Sequence, residues 1–96
     1  MADLTCFNWE KVELRDTPQA LSPSVFAPTD GHANEAFITV EGSIRYMLNG
    51  DKPTHKDGHF LSDGFLILKG DLQIEKFRAF NVGDAFSTMQ ISYLRE

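Results

Sequence analysis

Residues 36–50, AFITVEGSIRYMLNG, carry the densest strand signal in the chain. Phe37, Ile38, Thr39 and Val40 are β-branched or aromatic, the types that fit a pleated, half-buried surface. After Glu41-Gly42-Ser43, Ile44, Tyr46 and Leu48 alternate with Arg45 and Met47, the period of two expected of a strand with one buried face. The segment therefore reads as two strands turned at Gly42, paired as an antiparallel hairpin. Asn49-Gly50 then forms a strong turn, because both residues tolerate positive φ.

The same grammar extends in both directions. Upstream, the stretch from Trp9 to Leu14 reads as a strand, with Val12 and Leu14 alternating with Lys11, Glu13 and Arg15. Asp16-Thr17-Pro18 is a turn signal, and Gln19 to Leu21 a short strand. SPSVFAPTDGHAN, residues 22–34, is a loop of about a dozen residues, long enough to suspect a binding or packing role. Val25 and Phe26 inside it are expected to tuck into the core or into a neighbouring subunit. Downstream of the polar loop DKPTHKDGH, Phe60-Leu61 and Phe65–Leu68 read as strands around a Ser62-Asp63-Gly64 turn. The FLIL run has no polar partner and is expected to be buried on both faces. In LQIEKFRAF, residues 72–80, the apolar parity shifts between Ile74 and Phe77, which predicts a strand with a bulge or a bend. A turn at residues 81–84 leads to AFSTMQISYLRE, with Ser87, Met89, Ile91 and Tyr93 on one face.

Turn signals recur every 8–12 residues or so and no window keeps a helical period, so the fold class is all-β. The expected architecture is an antiparallel β-sandwich or jelly roll of about seven to nine short strands, with at most one helical turn. Ninety-six residues make one domain, expected to bury roughly 60–68% of its unfolded surface. The 42% apolar and 24% charged fractions are those of a globular chain rather than a disordered one. The net charge of −5, with nine scattered basic residues, excludes the clustered cations that a nucleic-acid surface requires. One cysteine, Cys6, cannot form an internal disulfide. No apolar run approaches the ~20 residues of a membrane span, and MADLTCFNWEK lacks the basic and apolar regions of a signal peptide. Synthesis in a cytoplasm is expected, with no nucleic-acid or membrane partner.

His55 and His59, with Asp51, Asp57 and Asp63 nearby, offer metal-ligand types. Their spacing departs from that of cupins, whose paired histidines lie one residue apart on a strand with a third His later. A calcium loop needs oxygen ligands at alternate positions and a closing Glu, a pattern that Pro53 and the two His break. No nucleophile elbow or phosphate loop is present. Glu10 and Glu13 point to opposite faces of one strand and cannot act as an acid/base pair. Cys6 reads as an inert small hydrophobe. Trp9, Tyr46 and Tyr93 could form a sugar-stacking platform, although both tyrosines fall in phase with apolar neighbours. No catalytic residue, cofactor or metal is expected, and the chain reads as a non-enzyme.

Ile44-Arg45-Tyr46, Asn49-Gly50, Pro53-Thr54, Gly58, Phe77-Arg78-Ala79 and Tyr93 together carry a resemblance. Over residues 36–96 the chain resembles small virion-associated β-domain proteins encoded in tailed-phage and prophage genomes, near capsid and tail genes. The resemblance implies a non-enzymatic structural protein of the virion, such as a capsid decoration or head–tail component, assembled in the bacterial host cytoplasm. Its partners would be other virion proteins or its own copies. It carries over no catalytic residues. The alternatives are a carbohydrate-binding or adhesion module and a divergent cupin-like metalloprotein. Arg45 and Arg78 stand beside aromatic positions and could pair with acids, stack on rings, or simply extend into solvent.

Eight Phe, one Trp and two Tyr are many large groups for so short a chain, and some are expected to be exposed on a monomer. Exposed apolar patches mark interfaces. A homo-oligomer is therefore expected, trimeric or dimeric, or else a monomer that assembles only on its particle. Phe7, Trp9, Val25 and Phe26, which escape the regular alternation, are the candidate interface residues.

Overall fold

A computed structural model describes residues 3–96. In chain order the elements are β1 (Thr5–Leu14), β2 (Gln19–Ala20), α1 (Pro23–Phe26), β3 (Glu35–Glu41), β4 (Ser43–Met47), β5 (His59–Ser62), β6 (Phe65–Lys69), α2 (Asp71–Lys76), β7 (Arg78–Asn81) and β8 (Ser87–Arg95). They form two four-stranded antiparallel sheets, ordered β1-β8-β3-β6 and β2-β7-β4-β5. The two orders correspond strand for strand. Each long strand runs through one sheet and continues in the other, so the β-sandwich is four long strands folded over at a common line of corners.

Gly42 makes the corner between β3 and β4. Its N–H donates to Asp63 Oδ1 at 2.8 Å, and the Asp63 N–H returns a bond to the Gly42 carbonyl at 2.9 Å. Both residues hold positive φ, 106° at Gly42 and 46° at Asp63. Asp tolerates the left-handed region better than most residues. A side chain at Gly42 would collide with Ser87, its Cβ falling 2.4 Å from Ser87 Oγ. The buried Ser87 hydroxyl donates to Asn81 Oδ1 at 2.6 Å, with the Ser43 carbonyl 3.0 Å away. One polar cluster thus joins the β3–β4 corner to the β7–β8 turn.

This corner corrects the hairpin expected around Gly42. β3 and β4 belong to different sheets and do not pair, because the chain bends there without reversing. The reversal comes later, where β4 pairs with β5 across the 48–58 loop. Further expectations are overturned. Phe65–Leu68 is an edge strand, not one buried on both faces, since β6 ends the sheet and its outer side has no covering layer. Asp71–Lys76 is a helix rather than a bulged strand. Ile74 and Phe77 are both buried and lie three residues apart, a helical spacing that resembled a shift of strand parity. Gly70, at φ 91°, turns the chain into α2, and Gln73 Oε1 accepts from the Lys69 N–H at 2.9 Å. With α1, which starts on Pro23 as helices tolerate, there are two helical turns rather than at most one. β1 also begins earlier than expected, at Thr5.

The core lies between the sheets and comprises Leu14, Leu21, Ile38, Ile44, Leu68, Ile74, Phe77, Met89, Ile91 and Tyr93 among others. Glu10 reaches inward from β1. Its carboxylate accepts from the Tyr93 hydroxyl at 2.6 Å, the Ser22 hydroxyl at 2.8 Å and the Ser22 N–H at 3.2 Å. A strand, a core phenol and the start of α1 are tied together by this one side chain. Burial, and then the Glu10 carboxylate, push the Tyr93 phenol far above its ordinary pKa. The outer side of the second sheet is partly covered by the 49–58 loop, with Phe60 left exposed. Pro53 is buried there, His55 packs edge-on against Phe80 at 5.2 Å, and Arg45 Nη1 donates to the Gly58 carbonyl at 2.9 Å.

Candidate functional site

The outer face of the first sheet is different. Strand alternation sends Ala36, Ile38 and Val40 inward and leaves Glu35, Phe37, Thr39 and Glu41 outward. In β6 the inward residues are Leu66 and Leu68 and the outward ones are Phe65, Ile67 and Lys69. Register then sets the outward side chains in rows. Trp9 lies opposite Ser92, Ser92 opposite Phe37, and Phe37 opposite Ile67, one continuous row across all four strands. The next row reads Lys11, Gln90, Thr39, Phe65, and the row on the other side brings together Leu94, Glu35 and Lys69.

Trp9 is 61% exposed, Phe37 39%, Ile67 45% and Phe65 61%. The rings of Phe37 and Phe65 pack at 5.7 Å between centroids. At roughly 200 Å² per large side chain, on the order of 400 Å² of contiguous hydrocarbon faces water. That lies within the range of the largest patches on monomers, which are commonly functional. Ser92, small and between Trp9 and Phe37, leaves a notch at the centre of the row.

Of the four candidate interface residues, only Trp9 stands on this face as a free side chain. Phe26 is 6% exposed and packs against Tyr93 at 6.0 Å, so it belongs to the core. Val25 is half-buried against the same core, and its carbonyl accepts from Asn8 Nδ2 at 3.2 Å. Phe7 is half-buried beneath the Arg95 guanidinium, 4.1 Å from its centroid. Arg95 in turn grips Asp30 with two bonds of 3.3 and 3.0 Å, which hold that carboxyl below its usual pKa. The residues that sequence reasoning missed are Phe37, read only as a β-former, and Phe65 and Ile67, expected in a strand buried on both faces. A signal existed for Phe37, which shares the outward parity of Thr39 and Glu41 while Ala36 keeps the inward parity of Ile38 and Val40.

The sugar platform of Trp9, Tyr46 and Tyr93 is not assembled. Tyr93 lies in the core, and Tyr46 stacks on Phe77 at 5.7 Å from the other sheet. Nor does the structure gather the His and Asp side chains whose types could ligate a metal. His55 packs on Phe80, His59 lies 5.2 Å from the Tyr46 ring, Asp63 caps Gly42, Asp57 accepts from the Thr54 hydroxyl and Asp51 from Asn49. Among the described residues no three His, Cys, Asp or Glu side chains converge. Glu10 and Glu13 do occupy opposite faces, one bonded to Tyr93 and the other paired with Arg15 at 2.7 Å. Cys6 is exposed, its thiol 3.5 Å from the Asn8 carbonyl. Arg45 lies over the Phe60 ring at 5.6 Å, whereas Arg78 donates to the Glu75 and Phe77 carbonyls.

A shallow cleft of about 350 Å³ opens at the corner end, lined by Arg15, Asp16, His55 and the 81–85 turn. Two of its polar side chains are engaged elsewhere: Arg15 pairs with Glu13 and lies over Phe86 at 5.4 Å, and Asn81 holds the turn itself. The apolar row is the stronger candidate site. No protein-family model, curated protein or solved structure matches this chain.

Proposed function

We propose that this chain is a non-enzymatic structural protein of a tailed-phage or prophage virion, a β-sandwich that docks through the outer face of its first sheet. The observation that carries the reading is the exposed row Trp9–Ser92–Phe37–Ile67 with Phe65 beside it. A rigid sheet presenting hydrocarbon offers an assembly surface, because association removes that area from water at no cost in ordering a loop. The resemblance over residues 36–96 supplies the virion setting. The residues with chemical potential have structural employment: Glu10 and Tyr93 bind each other, and His55 and His59 pack on rings. A glycan-binding module would also use an aromatic face. Sugars, however, need several convergent hydrogen-bonding groups, and three of the four residues in this row are hydrocarbon or aromatic.

Virions purified from a strain carrying the gene provide the test. The chain should co-sediment with particles at fixed stoichiometry, and Trp9→Ser/Phe37→Ser should release it to the top of the gradient while remaining folded. A chain absent from particles, or Trp9-dependent retention on a glycan array, would overturn the proposal.

A further inference from the structure

We infer that the outer face of the first sheet is a self-complementary surface, on which a second copy of this chain packs face to face about a two-fold axis. The inference rests on the reading of that face as a docking surface and names its occupant. Three observations lead to it.

The first is shape. The apolar row contains one small residue, Ser92 on β8, beside a large one, Phe37, on the adjacent strand β3. A two-fold axis parallel to the strands and midway between β8 and β3 sets Phe37 of each copy over Ser92 of the other. The same operation sets Trp9 over Ile67, Lys11 over Phe65, Gln90 over Thr39 and, at one end, Glu35 over Leu94. Large meets small at the centre, indole meets aliphatic at the sides, and a lysine meets an aromatic face. Isologous contact requires this reciprocity of one patch with itself, and sheets stack face to face within about 30° of alignment.

The second is charge. The chain carries −5 overall, yet this face presents Lys11 and Lys69 against Glu13, Glu35 and Glu41, two cations to three anions. The acidic excess therefore lies mostly elsewhere, and two copies can meet here with little repulsion. None of these charges is in the Trp9–Ser92–Phe37–Ile67 row. The third is size. A standard interface removes about 800 Å² per partner, somewhat over half of it apolar. A hydrocarbon centre on the order of 400 Å² ringed by Lys11, Gln90, Thr39, Glu35 and Lys69 has that composition.

Trp9 is the single tryptophan, so its emission reports directly on this face. The full chain should elute as a dimer by light scattering. Its emission maximum should shift to the red on dilution, in step with loss of dimer mass. Phe37→Glu, at an exposed position, should keep the far-UV spectrum and weaken self-association at least about thirtyfold, as the loss of a central contact does. Ser92→Tyr provides the sharper arm. It suits a strand and adds apolar area, so a merely sticky patch would associate more, whereas a filled notch should dissociate the dimer. A strict monomer across the concentration series would overturn the inference, leaving particle attachment to its own test. Association strengthened by Ser92→Tyr, or unaffected by both variants as pairing along the β6 edge would be, would overturn it equally.

Discussion

Replacing Gly42 with Ala should remove a large part of the stability of this domain. Two costs are visible in the structure. Gly42 has φ 106°, where an L-residue is strained, typically by about 1–3 kcal/mol. The new Cβ would also lie 2.4 Å from Ser87 Oγ, 2.9 Å from Ser87 Cβ and 3.2 Å from Ser87 Cα. Because the last contact is backbone of a central strand, rotating the serine does not relieve it. Moving the hydroxyl breaks its bond to Asn81, and overpacking of this kind costs about 1–3 kcal/mol. The total, about 2–6 kcal/mol, compares with the ~5–14 kcal/mol expected for a domain of this length. In urea, followed by far-UV circular dichroism, the midpoint should fall by roughly 2 M or more, given a slope near the low end of about 1–3 kcal/mol/M. Gly83→Ala is the internal control. Its φ is not positive and its Cβ would meet nothing closer than 3.4 Å, so its midpoint should move little. In a Ser87→Ala background, the penalty of Gly42→Ala should shrink by about 1 kcal/mol, a coupling expected only of residues in contact. A Gly42→Ala midpoint equal to that of Gly83→Ala would refute the folded-over geometry at this corner.

Two further outcomes follow from the core. Tyr93 holds its proton more tightly folded than unfolded, because of burial and Glu10. That stability is present below the unfolded phenol pKa near 10 and is lost as pH rises above it, by up to about 1.4 kcal/mol per pH unit. Urea midpoints should therefore decline from about pH 10 upward, with a shallower decline in Tyr93→Phe. Phe26→Ala should cost about 3–5 kcal/mol as a core truncation, whereas Trp9→Ser should leave the monomer's stability within about 0.5 kcal/mol, as surface substitutions do. Equal effects at the two positions in calorimetry would contradict their assignment to core and surface.

The all-β class, the strands at Phe37–Val40, Ile44–Met47 and Ser87–Tyr93, and the Ser62–Gly64 turn were legible from alternation and turn chemistry, because both are local properties. What alternation cannot state is which sheet a strand enters. Gly42 has the same appearance whether the chain reverses there or bends. The collision awaiting a Cβ comes from Ser87, which lies 45 positions away in sequence, and only tertiary structure places it. Likewise Ile74 and Phe77 are compatible with a bulged strand or a helical turn, and packing against the core selected the turn. The candidate site divides in the same way. Trp9 could be singled out because it breaks the pattern of its strand. Phe26, chosen on similar grounds, is held inside by Tyr93, and Phe7 is covered by Arg95, which arrives from the far end of the chain. Phe37, Phe65 and Ile67 conform to strand composition, so the sequence marks them as β-formers without saying whether their face is covered. That was decided by the second sheet, which packs on only one side of the first, and by the 49–58 loop, which covers Phe80 on the opposite surface and leaves this row to solvent.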